Sequence, residues 1–319
     1  MNRLNRILVF WLLLLFTVSC DEPVPPFGDK DMNSNENQPQ PNLFVLEYRT
    51  VTGPELGEKL QEYQRSLKVD RKSGTAFLEK HRSPSDEPGE PIGTFRAKLS
   101  EDIFQSIFDI VQKVDLSNLP PATEGGMGTT DIKLKFEHNN TTLSKQFTSR
   151  DINLLERLDV LLEQLNQIAV GLEKHAESAV KIDIKHARGQ GDGQFKITIT
   201  NVGSQPVCIA DPQTFGDEDP DRWAGVRFAE LPEERPGYTS PPLEWFNPKL
   251  PVQKAQGTRA VLKPSKTFSV STNIWTAPRR NARYIIQGIF SDYKGPGDAN
   301  DGYPIRGVVF SKAIEITVK

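Results

Sequence analysis

Cysteine is nearly missing from this 319-residue chain, which has only Cys20 and Cys208. One disulfide at most is possible, so a disulfide framework is excluded as the source of stability. Cys208 lies in the apolar stretch QPVCIADP and is expected to be a buried, inert thiol that packs as a small hydrophobe. Histidine is also scarce. His81, His138, His175 and His186 share no ligand spacing, and each reads as a surface residue. The chain contains no H-E-x-x-H, no G-x-S-x-G and no P-loop pattern. Gly189, Gly191 and Gly193 in RGQGDGQ lack the strand-to-helix frame of a dinucleotide site and read as a hairpin turn. The expectation is therefore a non-enzyme with no cofactor and no metal.

Excess positive charge is also lacking. Lys and Arg total 39 against 42 Asp and Glu, a formal net charge of −3. There is no basic footprint for nucleic acid and no polybasic patch to hold an anionic membrane. Long apolar runs are missing too. The longest, Ile7 to Val18, has about 12 residues, against the ~20 that a membrane-spanning helix needs. Arg3 and Arg6 precede it, and Ser19 and Cys20 follow it. A cationic start, a short apolar run and a small-residue cleavage site mark a secretory signal. Removing Arg3 and Arg6 with such a leader takes the formal charge from −3 to −5.

Thr17-Val18-Ser19-Cys20 resembles the lipobox of bacterial lipoproteins, with Thr17 where Leu, Val or Ile is usual. The resemblance implies a signal peptide at 1–19, a lipid on Cys20 as the membrane partner, and a body in the cell envelope facing the periplasm or exterior. The alternative reading of the same residues is an ordinary cleaved signal. Each buried methylene contributes about 0.8 kcal/mol, and a single chain anchors only marginally. Two or three chains on one cysteine would anchor the body stably. Asp21 resembles an inner-membrane retention residue of enteric lipoproteins, a rule that does not extend to all bacteria.

Residues 20–42 are rich in Pro, Asn, Asp and Gln. They read as a disordered tether with a mean reach of ~25 Å. Residues 43–173 then read as a small α+β domain, an antiparallel sheet with two helices. LFVLEYRTVT, YQRSLKVD, GTAFLEKH and IGTFRAKL read as strands bounded by turn residues. In LSEDIFQSIFDIVQKVDL, Ile103, Phe104, Ile107, Phe108, Val111 and Val114 recur at three and four, which predicts a helix capped by Ser100. TDIKLKFEH and TTLSKQF meet at Asn139-Asn140, a hairpin signal. A second helix follows, with Ser149 as its cap and a core stripe from Leu154 to Ile168.

Residues 179–319 show period-two alternation and short strands split by Gly, Pro and Asp, which predicts a β-sandwich. DPQTFGDEDPD holds Asp211, Asp217, Glu218, Asp219 and Asp221, and DYKGPGDANDGYP holds Asp292, Asp298, Asn300 and Asp301. Neither fits the EF-hand pattern, and both read as solvated turns. Residues 220–246 read as a long insertion between strands. Its Trp223, Tyr238, Trp245 and Phe246 are candidate protein-binding residues, because aromatics dominate binding hot spots. The other reading is that they fold back to cap the sandwich.

The FRAKLSEDIFQSIFDIVQKVDLSNLP segment, the hairpin and the leucine-rich helix resemble a small domain of many bacterial lipoproteins. They are also similar to emfourin, a proteinaceous inhibitor of thermolysin-like proteases. No inhibitory residue is carried over, because TVTGPELGEKL stands where the emfourin pattern has a Gly-rich segment. ITITNVGSQPV, AVLKPSKTFSV and ARYIIQGIF resemble strands and turns of bacterial immunoglobulin-like sandwiches. The functional expectation is a membrane-anchored, non-enzymatic binding protein for a protein or envelope polymer. The alternatives are an inhibitor of a secreted metalloprotease and an envelope hydrolase with an unrecognised site.

Overall fold

The computed structural model describes residues 43–52, 65–82, 89–119, 130–187, 194–215, 222–231, 258–273, 282–297 and 300–318. They belong to one compact unit, Asn42–Lys319. The segment 1–19, read from the sequence as a signal, and Cys20 lie outside the described residues.

The chain order is β1 (Phe44–Thr52), β2 (Arg65–Asp70), β3 (Thr75–Lys80), β4 (Ile92–Lys98), α1 (Glu101–Val114), β5 (Thr130–His138), β6 (Thr141–Thr148) and α2 (Ile152–Leu172). Ten further strands follow: β7 (Ala176–His186), β8 (Gln194–Asn201), β9 (Val207–Ala210), β10 (Arg222–Glu230), β11 (Arg259–Leu262), β12 (Thr267–Asn273), β13 (Arg283–Asp292), β14 (Tyr303–Pro304), β15 (Gly307–Phe310) and β16 (Ile314–Thr317). The protein is thus α+β in its first part and sandwich-like in its second. One nine-stranded sheet, ordered β12-β8-β7-β4-β3-β2-β1-β5-β6, runs through both parts. A four-stranded sheet (β10-β13-β15, with β16 also on β13) and a three-stranded one (β11-β9-β14) complete the second.

The two helices form where the apolar spacing places them. Phe104, Ile107 and Val111 of α1 are buried, as are Leu154, Leu158, Leu161 and Leu165 of α2. They pack on the face of the large sheet that carries Leu46, Leu67, Leu78, Phe95 and Leu134. Ser100 stands at the cap position of α1 without a side-chain capping bond. The cap of α2 differs from the sequence expectation. Asp151 holds that position, while the Ser149 hydroxyl accepts a hydrogen bond from the Thr130 amide. The carboxylate of Asp151 turns back to accept from the Thr148 amide at 2.7 Å. The Asn139-Asn140 hairpin is as read, with φ of 48° and 60°, the left-handed pair that a tight two-residue turn requires.

The large sheet changes its buried face at β4. Phe95 joins the helix-backed core, whereas Ile92 joins a second core with Val180, Ile182, Phe195, Ile286 and Phe290. Ile92 is paired with Val180, so the two share a face. The helices therefore cover one face of the sheet, and the second sheet covers the opposite face further along. Gly93 makes the crossing possible. Its φ is +128°, and a Cβ there would collide with the Ser178 carbonyl of β7. Across the second core, Gly288 of β13 has room for close sheet packing. A Cβ at that position would stand in ordinary van der Waals contact with Ile182 and Ile184 at 3.6 Å.

The closing stretch VVFSKAIEITV is not one strand. β15 pairs with residues 289–292 of β13 and β16 with residues 283–286 of the same strand. The break between them buries Ser311 completely. Its hydroxyl accepts from the Gly288 amide, and its carbonyl accepts from the Gln287 side chain, each at 2.8 Å. These bonds satisfy polar groups that would otherwise be buried unpaired.

Candidate functional site

Trp223 is not in an insertion. It lies in β10, opposite Ser291 of β13, and packs with Tyr293 against Ile289, Val308 and Phe310. The last three are only 7–8% exposed. Arg227, two pleats along β10, stacks over Phe310 at 4.8 Å from the ring centre and donates to Gln287 at 2.6 Å. Trp223 is thus a packing residue on the outer side of the second sheet. Tyr238, Trp245 and Phe246 lie outside the described residues.

Two acids of the acidic stretches, Asp211 and Asp292, differ from the solvated-turn expectation. Asp211 is buried and accepts from the Gln213 amide, closing a single 3₁₀ turn. Asp292 is fully buried and pairs with Arg222 at 3.1 Å, while the Gly295 amide donates to it at 2.9 Å. Its second oxygen, Oδ2, is buried without a hydrogen-bond partner. Burial pushes its carboxyl above the usual range, against the opposing field of Arg222. Asp301 is exposed and pairs with Arg259 at 3.4 Å. Asp217, Glu218, Asp219, Asp221 and Asp298 lie outside the described residues. Among the described residues no group of three His, Cys, Asp or Glu is placed to hold a metal ion.

Cys208 is 0% exposed within β9. Burial raises its thiol above the ordinary range, the opposite of an activated nucleophile.

The histidines divide. His138 lies edge-on to Phe108 at 5.0 Å between ring centres, and His186 packs on Phe195 at 5.2 Å. His81 belongs to a polar cluster that sequence reasoning missed. It follows β3 directly, and its Nδ1 lies 3.2 Å from the Arg306 carbonyl. Its Nε2 lies 3.5 Å from a carboxylate oxygen of Glu79. The Tyr303 hydroxyl donates to the same carboxylate. The hydrogen bond from His81, with a further one from Tyr303, holds the Glu79 carboxyl below its usual range despite partial burial. The participants stand about 225 positions apart in sequence, so no local spacing signals them.

Beside this cluster, Lys80 points to the opposite, helix-covered face. Only 6% of its side chain is exposed, and it pairs with Glu90 and, at 2.9 Å, with Glu173. Pairing is the condition for burying an ammonium.

The other face of the first six strands carries cross-strand rows of polar residues. Strand registry aligns Arg96, Phe77, Lys68, Glu47, Lys135 and Ser144 in one row. Glu79, Ser66, Arg49, Lys133 and Gln146 form the next. Arg96 lies over the Phe77 ring at 5.0 Å. Neither hydrophobic core includes any of these residues, and β14 reaches one end of the rows, where Tyr303 bonds Glu79.

No helix among the described residues is long and apolar enough to cross a membrane. No protein-family model matches the chain, and no characterised protein does.

Proposed function

We propose that this chain is a bacterial lipoprotein, anchored through Cys20, whose body binds a protein or polymer of the cell envelope without catalysing a reaction. The carrying observation is the run of Thr17-Val18-Ser19-Cys20 into a polar, proline-rich segment that ends where the folded body begins, at Phe44 of β1. An acylated cysteine holds such a body at the membrane.

The polar rows outside the two cores support the binding part of the reading. They form a broad surface on rigid strands, with an Arg–aromatic pair of the kind enriched in binding hot spots and flanking Lys68, Lys133 and Lys135. The test is chemical cross-linking in intact envelopes followed by identification of the captured species. The full-length protein is expected to capture a defined partner. Lys68→Glu combined with Lys135→Glu is expected to lose it while retaining the folded body's circular dichroism. Unchanged capture by that variant would contradict this surface, and turnover of an envelope polymer by the purified protein would contradict the non-enzymatic reading.

A further inference from the structure

We propose that the Glu79–His81–Tyr303 cluster is a proton-operated clasp fastening the Tyr303–Phe310 segment to the end of β3. His81 Nδ1 faces the carbonyl of Arg306 at 3.2 Å, and a carbonyl can only accept, so Nδ1 must carry a proton to bond there. Nε2 faces the Glu79 carboxylate at 3.5 Å, which in its ionised form also can only accept. The imidazolium satisfies both sides. A neutral ring with its proton on Nδ1 turns a lone pair toward a carboxylate.

The segment on the far side of the clasp is held mainly by backbone. The Val308 amide donates to the His81 carbonyl at 2.8 Å, and the Gly89 amide donates to the Phe310 carbonyl at 2.8 Å. Arg82 forms a parallel bridge with Val308. Gly307, at φ +116°, lies so close to the His81 carbonyl that any Cβ would collide with it. The segment is also laddered to β9 through β14 and to β13 through β15, while its link to the end of β3 runs through His81, whose side chain is 15% exposed. Among the described residues, the charged and titratable groups around its ring include Glu79 on β3, Arg49 on β1 acting through Glu79, Tyr303 on β14, and Arg306, which offers its carbonyl. Of these, only the imidazole has an ordinary pKa between 5 and 8.

The clasp is closed while His81 carries both protons and loosens as the pH rises through its titration. Loosening parts this segment from the end of β3 and from Gly89, while β14 and β15 keep their pairing with β9 and β13.

Hydrogen exchange on the full chain tests this, read as protection of the Val308 and Gly89 amides at pH 5.5 and pH 8 after correction for intrinsic rates. Wild type is expected to lose on the order of tenfold protection at the higher pH, the equivalent of one pKa unit of coupling. His81→Gln is expected to show no such pH step, while His138→Gln keeps it. Glu79→Gln, which preserves an acceptor for Tyr303 but removes the charge facing Nε2, is expected to move the step to lower pH. Equal protection at both pH values in wild type, or a step that survives in His81→Gln, would overturn the clasp. Should His81→Gln fail to fold, an unmoved step in Glu79→Gln would do so.

Discussion

Arg222 and Asp292 are register partners across β10 and β13, and their side chains meet at 3.1 Å with the carboxylate wholly buried. Among the described residues the guanidinium is the cation paired with that carboxylate, and it is also seated over the Phe215 ring at 5.6 Å. Removing one member of a buried pair leaves the other charge uncompensated. Arg222→Met is therefore expected to lower stability by about 3 kcal/mol, measured by urea denaturation at pH 7.

The same pair sets a pH dependence with a definite sign. Burial raises the Asp292 carboxyl above its ordinary value, so the folded state binds its proton more tightly than the unfolded chain. The corresponding stability is fully present below the ordinary carboxylate range and is lost as pH rises through the folded value. Glu79 has the opposite sign. Its lowered pKa contributes stability above the ordinary carboxylate range that is lost as pH falls through the folded value. Asp292→Asn is expected to be relatively more stable at pH 7 than at pH 3, compared with wild type. Glu79→Gln is expected to reverse that order. Parallel melting curves at the two pH values check both.

Glycine substitutions separate close approach from helix propensity. Gly93→Ala places a methyl group against the Ser178 carbonyl at a φ of +128°, and is expected to lower the melting temperature sharply or prevent folding. Gly171, in the last turn of α2, has open space around it and no positive φ. Gly171→Ala is expected to gain about 0.5 kcal/mol from helix propensity. Thermal melts of the two variants, read against wild type, give opposite signs.

The leucine stripe of α2 provides a matched comparison at adjacent positions. Leu161 is 0% exposed and Val160 is 64% exposed. Leu161→Ala is expected to cost about 2–5 kcal/mol, while Val160→Ala stays within about 0.5 kcal/mol of wild type. Equal losses at the two positions would mean that the helix is packed on both sides.

Cys208 should report on global opening. Its burial and raised thiol predict no reaction with a thiol reagent at pH 7.5 under native conditions and stoichiometric reaction in urea. Rapid native labelling would show that β9 and its neighbours open locally.

The parts of the fold visible in the sequence are those governed by local periodicity. Leu154, Leu158 and Leu161 lie on one helical face, and Asn139-Asn140 forms the turn that asparagine tolerates. What escaped is long-range. Nothing in IGTFRAKL signals that Ile92 and Phe95 enter different cores, because that depends on β7 pairing with β4 from some 80 positions away. Ser311 and Gln287 look like surface residues in sequence, yet they are buried because β13 receives two strands at different registers. Asp292 reads as one acid in a polar loop and is buried because Arg222 stands opposite it. Trp223 reads as a loop aromatic because the strand containing it is flanked by Pro, Glu and Asp. The Glu79–His81–Tyr303 cluster needs the finished topology to exist at all.

Intact-mass and peptide mass spectrometry of the protein taken from its native membrane tests the anchoring at Cys20 most directly. The expected product lacks residues 1–19 and begins at Cys20, with a diacylglycerol thioether on its sulfur. A chain that retains the leader, or one that begins at Cys20 with an unmodified thiol, would contradict the account.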